Sequence, residues 1–129
     1  MNRRAFVFAG LAAPFVPAMA VRASSSVQVV YIGGLDCPYC TLWHKQYEAD
    51  WRASPEFNRV NWVEIEPQSL RDAYRERYWP GELKEVLDQV PRKSGTPRFL
   101  IVKDGKVVFN ELGTDKWRRA MLAIKNVLG

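Results

Sequence analysis

Residues 97–112, PRFLIVKDGKVVFNEL, constrain the fold of this 129-residue chain more than any other stretch. Two β-rich runs, Arg98–Val102 and Val107–Glu111, flank Asp104-Gly105. An Asp-Gly pair between such runs signals a tight turn, because glycine enters positive φ at little steric cost. The two runs are read as a β-hairpin. An isolated ribbon of this kind is marginal in water, so the rest of the chain must supply a sheet to receive it.

The remainder supplies one. VQVVYI (Val27–Ile32) reads as a buried strand stopped by Gly33-Gly34, and VNWVEI (Val60–Ile65) as a second strand bounded by Pro67. Between them a helix is expected from about Cys40 to Ala53. Trp43, Tyr47 and Trp51 recur at i, i+4 and i+8, with Cys40 and His44 on an adjoining track. That spacing is what a buried helix face needs, so the aromatic track is read as packing. Strand–helix–strand order asks for a parallel pair joined by a right-handed crossover. SLRDAYRERY opens with a capping-box pattern, Ser69 to Asp72, and predicts a helix to about Tyr78. ELKEVLDQV predicts a further short helix ended by Pro91. After the hairpin, Thr114 is expected to cap a last helix with Trp117, Ala120, Met121, Ile124 and Leu128 on one face. The order satisfies an α/β fold, a central mixed sheet with helices on both faces. The chain shows no internal repeat, and its length suits one domain with a real core.

The N-terminus reads MNRRAFVFAGLAAPFVPAMAVRASSS. Arg3 and Arg4 precede an apolar run from Ala5 to about Val16, and small residues follow at Ala18 and Ala20. This is the pattern of a secretory signal peptide. The run is short and broken by Pro14 and Pro17, which suits poorly a span of a hydrocarbon core about 30 Å thick. Residues 1–20 are read as a leader and 21–129 as the domain, with cleavage after Ala20 or, as second choice, Ala23. RRAF is similar to a twin-arginine signal, but Asn2 stands where Ser or Thr is usual and the later basic residue is missing. The ordinary secretory route stays open. Either route leads to the periplasm, where disulfides persist, and contact with a membrane is expected only during export.

The formal charge is +5, from 19 basic and 14 acidic residues. Removing Arg3 and Arg4 leaves 17 against 14, or +3. That bias is weak, and no Lys/Arg run interleaves with aromatics, so nucleic acid is not an expected partner.

LDCPYCTLWH (Leu35–His44) holds both cysteines and the one histidine. A c-type haem needs His directly after the second Cys, where this chain has Thr41. A structural zinc needs four ligands, and Cys37, Cys40 and His44 give at most three. Three readings of the pair remain: a redox dithiol, a Cu(I)-handling dithiol, or a closed disulfide bracing a non-catalytic binding module. The first needs a thiolate near neutral pH. A free Cys has a pKa of about 8.5, which a helix N-terminus lowers. With Cys37 at the N-cap, orphan N–H groups and the helix dipole favour its thiolate. Pro38 suits the first turn, where its missing N–H costs little. Two intervening residues let Cys40 reach back to resolve a mixed disulfide.

Several neighbours have two readings each. His44 is either a proton relay for the thiols or a half-buried helix histidine with its own partner. Asp36 either raises the Cys37 pKa or is a solvated loop acid. Arg92, Lys93 and Arg98 either favour a thiolate or an acidic partner, or form a solvated basic loop. Pro97 either begins a strand in trans or forms a cis bond that exposes a backbone edge.

A strand, then CPYC (Cys37–Cys40) at a helix start, then GTP (Gly95–Pro97) before FLIVKDGKVV, together resemble the thioredoxin superfamily over about Val27 to Leu128. The resemblance implies a thioredoxin-like fold and a thiol-disulfide oxidoreductase with no cofactor beyond its redox-active disulfide. It implies that Cys37 is the exposed nucleophile, Cys40 the resolving thiol, and Pro97 a cis residue opposite the dithiol. Thr96, Pro97 and Tyr39 would meet substrate, with Pro38 and His44 in support. CPYC is shared with many glutaredoxins, whereas Tyr39, His44 and Thr96 are more similar to the catalytic domains of periplasmic disulfide isomerases. Their separate dimerisation domain is not expected here. The chain is also similar to small exported thioredoxin-like proteins of periplasmic pathways such as sulfur oxidation. The implied direction is reductase or isomerase, although Pro38 pulls towards an oxidant. The implied partners are proteins carrying thiols or disulfides and a membrane or periplasmic redox partner. Two departures stand out. The buried acid that thioredoxin carries six residues before its first Cys is Tyr31 here, and its lysine partner aligns with Trp62. Either proton handling is therefore expected to differ, or Glu64 or a water takes the role. The segment from Trp79 to Lys93 is also longer than thioredoxin's equivalent.

Overall fold

The structure is a computed structural model and describes residues 26–91 and 95–129. The leader at 1–20, both cleavage positions, Arg92 and Lys93 lie outside the described residues. Four strands form one mixed sheet in the order β2-β1-β3-β4. Strand β1 (Val27–Ile32) pairs parallel with β2 (Asn61–Ile65), Val30 opposite Val63, and antiparallel with β3 (Arg98–Lys103), Val30 opposite Leu100. The hairpin closes β3 onto β4 (Lys106–Leu112). Its turn residues Asp104 and Gly105 have φ of 51° and 82°, the paired positive values of the hairpin-type turn expected from Asp-Gly.

Side chains alternate across a strand, so each buried strand feeds two cores. Val27, Val29 and Tyr31 of β1 join Phe99 and Ile101 of β3 on one face. Val30 and Ile32 join Leu100 and Val102 on the other. Two helices cover the first face. Helix α1 spans residues 38–53, built from an α segment (Pro38–Trp43), a π turn (His44–Glu48) and a second α segment (Ala49–Ala53). Helix α3 (Trp117–Leu128) lays Trp117, Ala120 and Ile124 beside it. The aromatic track divides. Trp43 and Trp51 are buried, whereas Tyr47 is half-buried at the rim. Their indole N–H groups have no hydrogen-bond acceptor, but each ring sits edge-on to Trp117, with centroids 5.2 and 5.4 Å away. Aromatic pairs favour that geometry, which sets the electron-rich face of one ring against the edge of the other.

The second face corrects one expectation. Residues 69–78 form no α-helix. Ser69 does cap, its Oγ accepting from the Arg71 N–H, but only two 3₁₀ turns (Leu70–Asp72 and Glu76–Tyr78) follow, with Arg75 extended between them. Tertiary contacts outweigh the modest helix propensity of the segment. The Trp79 indole donates to the Ala73 carbonyl at 2.8 Å, and Tyr74 and Trp79 pack under the sheet. The short α2 (Lys84–Leu87) completes this layer with Leu83, Val86 and Leu87 buried.

Candidate active site

The site lies at the end of the sheet where β1 runs into α1. The chain crosses from Ile32 to Cys37 through Gly33 and Gly34, zipped to the segment after β2. Gly33 N–H donates to the Ile65 carbonyl (2.8 Å), Leu35 N–H to Pro67 (2.9 Å), and Leu70 N–H to Asp36 Oδ1 (2.7 Å). Asp36 is thus a clasp between two loops. Gly34 permits the approach, because a Cβ there would lie 2.6 Å from Leu70 Cα.

Cys37 occupies the N-cap of α1, with extended backbone (φ −97°, ψ 114°), and Pro38 follows at the first helical position. Cys37 is disulfide-bonded to Cys40, with Cα atoms 5.2 Å apart. Two donors meet its sulfur: the Cys40 N–H at 3.1 Å and the Thr96 hydroxyl at 3.2 Å. Both would serve a thiolate, since charge strengthens such bonds. The Thr96–Pro97 bond is cis. The resemblance implies an exposed nucleophile, and here the structure differs. Cys37 is 2% exposed and Cys40 is fully buried, because the helix N-terminus, the half-buried Thr96 and the buried Pro97 enclose the disulfide.

Bonds from three directions fix that segment. Gly113 N–H donates to the Pro97 carbonyl at 2.8 Å. The Tyr74 hydroxyl donates to the Gly95 carbonyl at 2.8 Å and accepts from Arg98 Nε at 3.0 Å. Arg98 also donates to Asn110. Arg98 is therefore neither a solvated loop cation nor a group facing a partner; it is buried and braces the loop from below. Burial raises the Tyr74 pKa, against the pull of Arg98, so Tyr74 stays a neutral donor.

Thr114 also departs from expectation. Gly113 takes the capping position before its turn, and the Thr114 hydroxyl donates across the site to the Tyr39 carbonyl. Tyr39 is 66% exposed between the cysteines. It borders a groove of about 540 Å³ lined also by Leu42, Tyr47, Thr96, Leu112 and Thr114. Its lining is mainly apolar, and Tyr39, Leu42 and Leu112 are exposed hydrophobics.

Beneath α1 lies a group that the sequence reading placed only in part. His44 Nδ1 is 2.7 Å from Glu48 Oε1, and Nε2 is 2.9 Å from Glu66 Oε2. The Tyr31 hydroxyl donates to the same Glu66 oxygen at 2.6 Å. Burial opposes charge on His44, yet the bonds to Glu48 and Glu66 outweigh it and hold its pKa above the usual imidazole value. Tyr31 is pushed far up by burial and by its bond to Glu66, so it remains a neutral donor. Glu64, the acid expected here, instead binds Arg52 and the Trp62 indole. Glu66, two residues further on, is the carboxylate that reaches His44 and Tyr31. His44 and Glu48 at i, i+4 are a pair that spacing could have found; the partnership with Glu66 depends on the β1–β2 register, which spacing alone does not fix.

No protein-family profile and no curated protein sequence matches the chain. Solved structures do. A thioredoxin of Malassezia sympodialis superposes with a TM-score of 0.53 at 16% identity, covering 83% of this chain and 81% of its own. Fasciola hepatica thioredoxin gives 0.51 at 20% identity, over 81% of this chain and 86% of that one. The short form of spinach chloroplast thioredoxin F gives 0.51 at 19%, over 84% and 85%. Over most of its length the chain has the α/β thioredoxin fold, and at these identities the likeness speaks to fold alone.

Proposed function

We propose that the chain is an exported thiol-disulfide oxidoreductase that exchanges disulfides with substrate proteins through Cys37 and Cys40. One observation carries this reading. The Cys37 sulfur sits at a helix N-cap, met by a backbone N–H and the Thr96 hydroxyl, beside an apolar groove. A thiolate formed there is favoured by those donors and by the helix dipole. In the reducing direction the Cys37 thiolate attacks a substrate disulfide. A Cys37–substrate bond forms and one substrate thiolate leaves. Cys40 then loses its proton, attacks Cys37 and releases the second substrate sulfur. Two electrons pass to the substrate, and the Cys37–Cys40 disulfide is left. The groove beside Tyr39 and Thr96 would seat the apolar flank of an extended substrate segment. No cofactor beyond the disulfide is required.

The reductase or isomerase direction is favoured by Thr96 and His44, which are similar to isomerase catalytic domains. The leader pattern at 1–20 supports a periplasmic location and, with it, a membrane or periplasmic redox partner. One observation favours a second reading, a disulfide that only braces the fold: both cysteines are buried. Against it, a bond between residues three apart closes a very short loop, where the entropic gain is smallest. The test is turnover. Insulin reduction should stop in Cys37→Ser, and Cys40→Ser should accumulate mixed disulfides with substrate. Wild-type protein that shows no turnover, with no adducts in Cys40→Ser, would sink the proposal.

A further inference from the structure

His44 stands one helical turn beyond Cys40, and its N–H donates to the Cys40 carbonyl. Side chains so related are about 5–6 Å apart at Cβ. His44 is therefore an ionisable side chain on the next turn of the helix that carries the buried cysteine. The charged and titratable groups facing it come from each element packed around it. Helix α1 contributes Glu48, held in turn by Arg52 at 2.8 Å. The segment from β2 onward contributes Glu66 directly, with Glu64 behind it on Arg52. Strand β1 contributes the Tyr31 hydroxyl, 3.2 Å from His44 Nε2. A built Cβ on Gly33 would come within 2.5 Å of that hydroxyl, so the glycine before the dithiol loop leaves room for it. Tyr31 stays a neutral donor and Glu48 is favoured as a carboxylate, so the positive charge of the cluster is the one His44 carries when protonated.

We propose that the Tyr31–His44–Glu48–Glu66 cluster is a positioning device for Cys40, in which the charge on His44 sets how readily Cys40 gives up its proton when the disulfide closes. The inference rests on the exchange reading above. In that step the Cys40 S–H loses its proton. Its sulfur bonds to Cys37, the Cys37–substrate bond breaks, and the substrate leaves as a thiolate that takes up a proton. An imidazolium one turn below favours the developing Cys40 thiolate, whereas each carboxylate opposes it. Tyr31 and Glu66 fix the imidazole between the two acids. As pH rises and His44 loses its proton, the cluster becomes one charge more negative. Ionisation of Cys40 is then held back, and the rate of closure rises with pH less steeply than for a single ionisation.

The experiment uses the reduced full chain and 5,5′-dithiobis(2-nitrobenzoate). Attack by Cys37 releases one thionitrobenzoate, and displacement by Cys40 releases the second. Stopped-flow records of the second release between about pH 5 and 10 report Cys40 ionisation. Loss of the positive charge in His44→Gln should move the midpoint up, and loss of a negative charge in Glu66→Gln should move it down, each by about 0.5–1 pH unit. Shifts of opposite sign are not what simple loosening of the helix produces. Should His44→Gln fail to fold, Glu48→Gln and Glu66→Gln carry the test, and both should move the midpoint down. Profiles that coincide with wild type, or that do not follow these signs, overturn the inference and leave the exchange reading intact. Wild-type protein that releases no second equivalent overturns both.

Discussion

At the scale of single residues, the site depends on a few polar atoms placed against sulfur or against one another. Thr96 is the clearest case, since its hydroxyl is the side-chain donor to Cys37. A hydrogen bond to a charged group contributes about 1.5–3 kcal/mol, so Thr96→Val should raise the Cys37 pKa by about one unit or more. The pH dependence of alkylation of the reduced protein measures this, and an unmoved profile would refute it. His44 gives a prediction for stability. Its folded pKa lies above the unfolded value of about 6.5, so its contribution is complete below that pH and fades as pH rises through the folded value. For Glu48, burial works against ionisation, but its bonds to His44 and Arg52 depress its pKa. Its contribution is complete above the unfolded value of about 4.3 and fades as pH falls through the folded one. Urea midpoints of wild type and His44→Gln should therefore differ most between about pH 5 and 6.5 and converge at higher pH. A difference that grows with pH would contradict the bonding described. His44 was legible in the sequence; Glu48 was not singled out, although its i, i+4 spacing from His44 is a signal that could have found it. Glu66 was not legible, because its role depends on where a parallel strand ends.

At the scale of elements, the loop before α1 and the loop after β2 behave as one clasp. Gly34 sits against the Leu70 backbone, which cannot give way as a flexible side chain would. Gly34→Ala should destabilise the protein by about 1–3 kcal/mol, the range for overpacking a tight site. Equilibrium unfolding in urea would show it as a lower midpoint, and unchanged stability would count against the clasp. The elements read most faithfully from sequence were those whose signal is local: β1, the Asp104-Gly105 hairpin, and the apolar face of α3. The failure at 69–78 has the opposite character. Ser69 carries a true capping signal, but Tyr74 and Trp79 gain more by packing beneath the sheet than the segment gains as a helix. Arg98 was misread for a similar reason. A basic residue beside a loop suggests solvent, and only the fold brings Tyr74 and Asn110 to it.

At the scale of the whole molecule, one sheet with a core on each face holds the dithiol helix on one side and the braces of the Thr96–Pro97 loop on the other. Trp43, Trp51 and Trp117 anchor α1 and α3 to the sheet, while Tyr74 and Arg98 reach the loop from the opposite layer. The disulfide therefore lies where both layers meet, enclosed but next to an open groove. This placement holds the pair where exchange with a substrate is proposed to occur, with the fold supported by its two cores. Equilibration of the folded protein in graded thiol–disulfide buffers tests it most directly, with the Cys37–Cys40 bond followed by thiol alkylation. The bond should open and close reversibly, with half-reduction above about −300 mV and the fold retained on reduction. A bond that resists reduction until far lower potentials, or that opens only as the protein unfolds, would contradict it.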